Sequence, residues 1–168
     1  SLAVPVTGIA EAVFARGLSS EADLREEAQK QGFAGPNGEL NLNGEERKAF
    51  IEDIRQALYA SKIVAYAQGF NEITTAAKEY GWDIDLAAVA RIWRGGCIIR
   101  AKFLNRISEA FESGEANVSL LFAPYFKNAI KNDWKSWRNV VDQAAVNGLP
   151  TPAFASSLSY FDGLRSKR

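Results

Sequence analysis

Apolar side chains recur at intervals of three and four residues along most of the chain, which is the spacing of one face of an α-helix. The longest such run extends from Glu45 to Tyr80, where there is no proline and Gly69 is the only glycine. About 36 residues at a rise of 1.5 Å each predict a helix about 54 Å long. Its apolar positions form two rows, Tyr59, Ile63, Tyr66, Phe70, Ile73 and Ala77 in the first and Ile51, Ile54, Leu58 and Ala65 in the second.

A helix that is apolar on more than one side needs a neighbour on each of those sides. The expected length also exceeds the diameter of a compact domain of this size. Two interpretations follow: the helix kinks near Gly69, or part of its surface packs against another subunit. We favour the second interpretation and therefore expect a homodimer.

The remaining periodic segments predict shorter helices, and no stretch has the two-residue alternation of a strand. Gly32 to Gly44, with four glycines and three asparagines, predicts a loop with a tight turn at residues 36–38, and we expect it to be the most mobile segment. We therefore predict one all-α, multi-helix domain over residues 1–168, built around one long central helix. The shorter helices are expected over Pro5–Leu18, Ser19–Lys30, Asp85–Trp93, Cys97–Phe111, Ala123–Trp134, Ser136–Val146 and Pro152–Leu164.

The composition narrows the classes of function. Of 168 residues, 47% are apolar and 24% charged, and 20 basic residues balance 20 acidic ones, so the chain has no general attraction to nucleic acid or to an anionic membrane. Trp134 and Trp137 beside Lys135 are interpreted as core packing with a charged edge. No apolar run approaches the roughly 18 residues of a membrane span. We expect neither a nucleic-acid partner nor a membrane partner.

The chain contains no histidine and one cysteine. It therefore has no histidine metal site, no Ser-His-Asp triad and no thiolate zinc cage of its own, and we predict no metal site. A single cysteine is typical of a reducing compartment, so a cytoplasmic location is expected.

Arg16 is the candidate binding residue. It continues the apolar row of Ile9 and Val13 by three residues, so the spacing predicts a buried or half-buried guanidinium. Such a group requires an anionic partner. That partner is either a carboxylate elsewhere in the protein or the phosphate or carboxylate of a ligand, because the planar guanidinium binds oxyanions in a bidentate manner.

Arg94 and Arg100 flank the pair Gly95 and Gly96, which we interpret as a structural corner in preference to an anion site. Cys97, directly after this corner, is interpreted as a small buried packing residue in preference to a reactive thiol.

Several long segments resemble the helical domain of the 6-phosphogluconate dehydrogenase family: Glu11-Ala12-Val13-Phe14-Ala15-Arg16, Ile51 to Phe70, Trp93 to Arg100 and Leu158 to Gly163. The resemblance implies a cytoplasmic homodimer that acts in the pentose phosphate pathway. Such an enzyme converts 6-phosphogluconate and NADP to ribulose 5-phosphate, carbon dioxide and NADPH without a metal.

The resemblance also implies that the catalytic parts lie outside this chain. A Rossmann domain that binds NADP, with a lysine base and a glutamate acid on the helix after it, would precede residue 1, and a tail carrying an arginine and a histidine would follow residue 168. We therefore expect a substrate and dimerisation domain truncated at both ends, with no catalytic or cofactor-binding residue and no activity alone. One substrate contact of the family corresponds to this sequence: Arg16, which would hold the sugar phosphate.

Two alternatives stay open at this stage. In the first, the chain is a stand-alone helical interaction or dimerisation module. In the second, it is the helical domain of another β-hydroxyacid dehydrogenase.

Overall fold

A computed structural model of the chain describes residues 2–95, 97, 99 and 101–167, and every regular element in these residues is helical. The predicted all-α class is therefore confirmed. No helix in the described ranges is long and apolar enough to cross a membrane. The helices are α1 (Thr7–Ser20), α2 (Ala22–Lys30), α3 (Gly44–Tyr80), α4 (Leu86–Gly95), α5 (Leu104–Glu112), α6 (Pro124–Val146) and α7 (Pro152–Arg165), with a 3₁₀ turn at Leu120–Phe122.

Helix α3 is the predicted long helix, and its 37 residues continue without a break through Gly69. A capping box sets its start. The side-chain oxygen of Asn43 accepts hydrogen bonds from the backbone N–H groups of Glu45 and Glu46, both at 3.1 Å. The carboxylate of Glu46 in turn accepts from the N–H of Asn43 at 3.0 Å.

Helices α3 and α6 each end at a glycine in the left-handed conformation. These glycines are Gly81 after α3 (φ +68°) and Gly148 after α6 (φ +72°). The next residue donates its N–H to a carbonyl in the last turn, at 2.9 Å from Trp82 and 2.8 Å from Leu149. Because glycine has no Cβ, it adopts this conformation at the smallest cost.

The chain forms two compact units. Unit 1 contains the residues up to Val6 together with Lys62–Asn132, and unit 2 contains Thr7–Ser61 and the residues from Asp133 onward. Helices α3 and α6 each contribute residues to both units.

Unit 1 has an aromatic-rich core around the second half of α3, where α4 packs against α5. Phe70 is 1% exposed, and its ring centroid lies 5.2 Å from that of Trp93 and 5.0 Å from that of Phe111. Tyr66, one turn earlier, packs edge-on against Phe103 at 4.9 Å. Ile63, Val64, Ala67, Leu104, Ile107, Leu120 and Phe126 are also buried here.

In unit 2, α1 packs against α7, and the first half of α3 is joined to α6 by polar contacts. Asp53 accepts hydrogen bonds from the Ser136 hydroxyl at 2.6 Å and from the Asn139 amide at 2.7 Å. Trp137 is fully buried, with its ring centroid 6.0 Å from that of Phe161.

The prediction of two helices over 123–146 is wrong, since α6 is a single helix of 23 residues. No glycine or proline lies near Lys135 to end the first half. Ser136, the predicted start of a second helix, uses its hydroxyl for Asp53 and not to cap a new helix end.

The prediction of a helix from Cys97 is also wrong, because α5 begins only at Leu104. Cys97 lies in a bend, and Gly96, Ile98 and Arg100 lie outside the described residues. The four-residue apolar spacing starts at Ile99, but Ile99 is exposed whereas Ile107 is buried. Ile99 therefore gains little of the packing that stabilises a short helix.

The boundary between α1 and α2 lies later than predicted. Ser19 and Ser20 belong to α1 and do not start the next helix. Their hydroxyls bond backward, Ser19 Oγ to the carbonyl of Arg16 at 2.8 Å and Ser20 Oγ to that of Gly17 at 2.7 Å. Serine is common at the first residue of a helix, but here both hydroxyls bond to carbonyls in the last turn of α1.

The loop before α3 contains the predicted turn. Gly38 has φ +81°, and the side chain of Asn37 accepts from the N–H of Glu39 at 3.2 Å. The loop also packs against the turn between α6 and α7: a Cβ added to Gly148 would lie 2.9 Å from Pro36 Cγ and 3.0 Å from its carbonyl oxygen. The mobility of this loop stays a prediction.

Candidate functional site

Arg16 lies in the third turn of α1 and is exposed, so the prediction of a buried or half-buried guanidinium is wrong. Ile9 and Val13, which precede it on the same row, are exposed as well, and α1 contains no buried residue. The apolar row correctly identifies one face of the helix. It does not identify what covers that face, and no described part of this chain does.

The hydrogen-bond partner of Arg16 is a serine and not a carboxylate. Its guanidinium Nη1 donates to Ser19 Oγ at 3.3 Å, while the same hydroxyl donates to the Arg16 carbonyl. Among the residues that the structure describes, no carboxylate forms an ion pair with Arg16. The internal carboxylate that the sequence suggested as one partner is therefore not found among the described residues. The guanidinium of Arg16 is open to an external anion.

A second arginine contacts the same serine. Arg25, on α2, is exposed and donates from Nη1 to the carbonyl oxygen of Ser19 at 3.4 Å. Ser19 is thus contacted by one guanidinium at its hydroxyl and by another at its backbone.

An open groove of about 830 Å³ lies beside these residues within unit 2. Its walls come from α1, α2, α6, α7 and the turn before α7, and they are mainly apolar, with Phe14 and Leu18 on the α1 side. Glu11, Ser19 and Arg25 are polar members of the lining. Arg16 does not line the groove, but it is hydrogen-bonded to the groove wall through Ser19.

The shifted pKa values of unit 2 belong to α3 and α6. Arg55 holds Glu52 through two hydrogen bonds, of 2.8 and 2.5 Å, and these lower the pKa of Glu52 to about 2. Partial burial raises the pKa of Asp133, and the nearby Arg55 opposes that rise. In unit 1, burial raises the pKa of Tyr66, with a further contribution from the adjacent Cys97. Within the described ranges, no group of three or more acidic or cysteine side chains could hold a metal ion.

The glycine corner is described only in part. Arg94 is half-buried, and the Cys97 thiol, also half-buried, donates to the Trp93 carbonyl at 3.0 Å. Gly96 and Arg100 lie outside the described residues, so the interpretation of this segment as a structural corner stays a prediction.

The two tryptophans of α6 differ in environment. Trp137 is buried, as expected of core packing, whereas Trp134 is exposed and lies beneath the ammonium group of Lys135, at 5.6 Å. Arg138 forms an ion pair with Asp162. The charged edge expected from the sequence is present, but only one of the two rings is in the core.

Sequence reasoning missed Ser19 and Arg25. Ser19 follows Arg16 by three residues, and side chains at this separation are neighbours on a helix surface. That spacing could have indicated the contact if Ser19 had been assigned to α1. Arg25 lies on a different helix, so no local spacing indicates it.

Comparison with known proteins identifies the family. A family model described as "6-phosphogluconate dehydrogenase, C-terminal domain" matches residues 1–168. The chain belongs to this family. It is similar to the decarboxylating 6-phosphogluconate dehydrogenases of Schizosaccharomyces pombe (48% identity over 165 residues, 98% of this chain) and Homo sapiens (48% over 162 residues, 96% of this chain).

A solved structure of the family has the same fold. Plasmodium falciparum 6-phosphogluconate dehydrogenase, described without ligand, with its cofactor NADP+ and with its substrate 6-phosphogluconate, matches with a TM-score of 0.90 and 36% identity. The match covers 98% of this chain and 35% of that one. The chain spans about a third of the length of the curated relatives it matches, 33% for both relatives named above.

Proposed function

We propose that this chain is the helical domain of an NADP-dependent, decarboxylating 6-phosphogluconate dehydrogenase of the cytoplasmic pentose phosphate pathway. The observation that carries the proposal is identity of about 48% over nearly the whole chain to relatives named for this activity. The intact enzyme oxidises the 3-hydroxyl of 6-phosphogluconate by hydride transfer to NADP and then releases carbon dioxide, which yields ribulose 5-phosphate and NADPH. The hydride acceptor and the acid and base are supplied by parts of the protein outside this chain.

Within that enzyme, Arg16 binds the phosphate group of the substrate. A guanidinium presents several N–H donors in a fixed plane, which matches the oxygens of a phosphate. The exposed guanidinium has no carboxylate partner in the described residues, so it does not need to break an ion pair before it binds. This chain alone has no NADP-dependent activity, because one arginine is insufficient to order a small anion and no cofactor site accompanies it.

The second contribution of the domain is a dimer surface. Ile51, Ile54 and Leu58 lie three and four residues apart on α3 and are 57%, 39% and 49% exposed; we call them the open stripe. Three large apolar side chains of α1, those of Val13, Phe14 and Leu18, are exposed in the same unit. Exposed rows of large apolar side chains are characteristic of protein interfaces. The occupant proposed for the open stripe is a second copy of this chain.

The activity and the role of Arg16 are tested together in the intact protein. We expect NADPH formation from 6-phosphogluconate, and we expect Arg16→Ala to raise the KM for 6-phosphogluconate about 10- to 100-fold, the effect of losing a charge-assisted hydrogen bond. Arg47→Ala is the matched control, since Arg47 is also an exposed arginine on a helix of unit 2. Its KM should match that of the unmodified protein.

Each rival has a distinct outcome. Turnover of another β-hydroxy acid, with none of 6-phosphogluconate, would assign the chain to a different dehydrogenase. A gene with no region that encodes a Rossmann domain would favour a stand-alone interaction module. NADPH formation by the isolated chain would overturn the proposal that its activity depends on other parts of the protein.

A further inference from the structure

We propose that Ser19 is a positioning residue that orients the guanidinium of Arg16 for the phosphate of the substrate. The inference rests on the proposed function, since it requires Arg16 to bind that phosphate. Ser19 itself does not need to touch the substrate; its effect passes through Arg16.

The hydrogen bonds of Ser19 define the direction of the contact. A hydroxyl has one hydrogen and two acceptor lone pairs. Ser19 uses its hydrogen on the carbonyl of Arg16, at 2.8 Å, so a lone pair faces the guanidinium Nη1 at 3.3 Å. The two bonds are compatible, and together they connect the side chain of Arg16 to its own backbone through one residue.

This contact leaves most of the guanidinium available. An arginine has five N–H donors, and only one nitrogen of Arg16 is bonded to Ser19. Bidentate binding of an oxyanion uses two donors on one edge of the guanidinium, and the groups not bonded to Ser19 supply them. Because a free arginine side chain samples many rotamers, a contact that restricts it before binding reduces the entropy lost when the phosphate binds.

Ser19 is itself fixed from the other side. Its carbonyl accepts from Arg25 at 3.4 Å, which joins the end of α1 to α2. The carbonyl oxygen of the preceding residue, Leu18, accepts from the backbone N–H of Glu21 at 3.2 Å. The end of α1 is therefore held by backbone and side-chain bonds, so that the Ser19 hydroxyl provides a defined anchor for Arg16.

The chain contains a matched control at the next position. Ser20 makes the same kind of bond to the carbonyl three residues earlier, Gly17, at 2.7 Å, and it lies at the same helix end. No guanidinium contact of Ser20 is present in the described residues. Loss of the hydroxyl at Ser20 reproduces the effect on the helix end without the effect on Arg16.

The test uses the intact enzyme with Ser19→Ala, Ser20→Ala and Ser19→Thr. We expect Ser19→Ala to raise the KM for 6-phosphogluconate about three- to tenfold with little change in kcat, because only the ordering of Arg16 is lost. Ser20→Ala should leave both constants unchanged, and Ser19→Thr, which keeps the hydroxyl, should restore most of the loss. Thermal unfolding followed by circular dichroism checks that each variant is folded.

A double-mutant cycle separates positioning from a general structural role. If Ser19 acts through Arg16, then Ser19→Ala should have no further effect on KM in the Arg16→Ala background. Equal effects of Ser19→Ala and Ser20→Ala, an unchanged KM in Ser19→Ala, or full additivity with Arg16→Ala would each overturn the inference while Arg16 keeps its role. An unchanged KM in Arg16→Ala alone would instead overturn the proposed phosphate site, and the inference with it.

Discussion

Both halves of helix α3 carry apolar residues at helical spacing, but their largest apolar side chains lie in different environments. In the second half, Ile63 and Phe70 are buried in the core of unit 1. In the first half, the open stripe is exposed in unit 2, although Ala57 and Ala60 on another side of the same turns are buried. One continuous helix thus shows that periodicity identifies which residues share a face, whereas burial depends on whether the chain supplies a neighbour for that face.

The neighbours explain the difference. Unit 1 surrounds the second half of α3 with aromatic side chains from α4 and α5, whose ring centroids lie about 5 Å from that of Phe70. Unit 2 buries Ala57, Ala60 and Trp137, but its helices α1 and α2 contain no buried residue. The first half of α3 is also joined to α6 by the hydrogen bonds of Asp53 with Ser136 and Asn139. Unit 1 therefore buries the large apolar side chains of its half of α3, whereas unit 2 leaves the open stripe exposed.

The largest expected effect tests the self-sufficient core of unit 1. Phe70→Ala should lower the free energy of unfolding by about 3–5 kcal/mol, because the lost ring leaves a cavity among packed aromatic side chains. Phe33, in the loop before α3, is 81% exposed, and Phe33→Ala should change the free energy by no more than about 0.5 kcal/mol. Urea unfolding followed by circular dichroism gives both values. Similar losses for the two variants would mean that the aromatic core does not stabilise unit 1.

An intermediate effect concerns how unit 2 secures its loops. Gly148 and Gly32 both have positive φ, +72° and +62°, but only at Gly148 would an added Cβ contact Pro36. Gly32→Ala should cost about 1 kcal/mol from backbone conformation alone. Gly148→Ala should cost about 2–3 kcal/mol because the loop must also move away. The comparison is made by urea unfolding of the two variants, and equal costs would contradict the packing of the loop on this turn.

The smallest expected effect is a pH dependence of stability that arises from the exposed Glu52–Arg55 pair in unit 2. Arg55 lowers the pKa of Glu52 from 4.5 to about 2, so the pair stabilises the folded state above about pH 4.5, and this contribution is lost as the pH falls toward 2. Because both side chains are exposed, the change in stability should be small. NMR titration of the Glu52 carboxyl should give a pKa near 2 that returns toward 4.5 in Arg55→Gln. A value near 4.5 in the unmodified chain would contradict the pairing.

Local signals predicted much of the fold. The unbroken run from Glu45 to Tyr80 predicted α3, and Asp85, the predicted start of the next helix, caps α4 by accepting from the N–H of Ala88 at 2.9 Å. These signals succeed because caps and glycine turns depend on residues within a few positions of one another. The predicted break before Ser136 is absent because no glycine or proline interrupts the segment there, and the Ser136 hydroxyl instead bonds Asp53, 83 residues away in the chain. A contact at that separation leaves no local pattern.

The candidate site shows the same limit. The spacing correctly grouped Arg16 with Ile9 and Val13, but it wrongly predicted burial, because no described residue of this chain covers that face of α1. Ser19 was within reach of sequence reasoning, since it is three residues from Arg16, whereas the contact of Arg25 depends on how α1 and α2 are joined. Sequence patterns therefore identify which residues share a helix face more reliably than they identify what covers that face.

The central claim is that a second copy covers the open stripe, and the most direct test is sedimentation equilibrium of the intact protein with Leu58→Glu. The unmodified protein should sediment with the mass of a dimer, and Leu58→Glu should shift it to the monomer mass, because a charge would be buried without a partner. Val118→Glu, at an exposed apolar position in a turn of unit 1, should remain dimeric. A monomeric unmodified protein, or a Leu58→Glu variant that stays dimeric, would contradict the account.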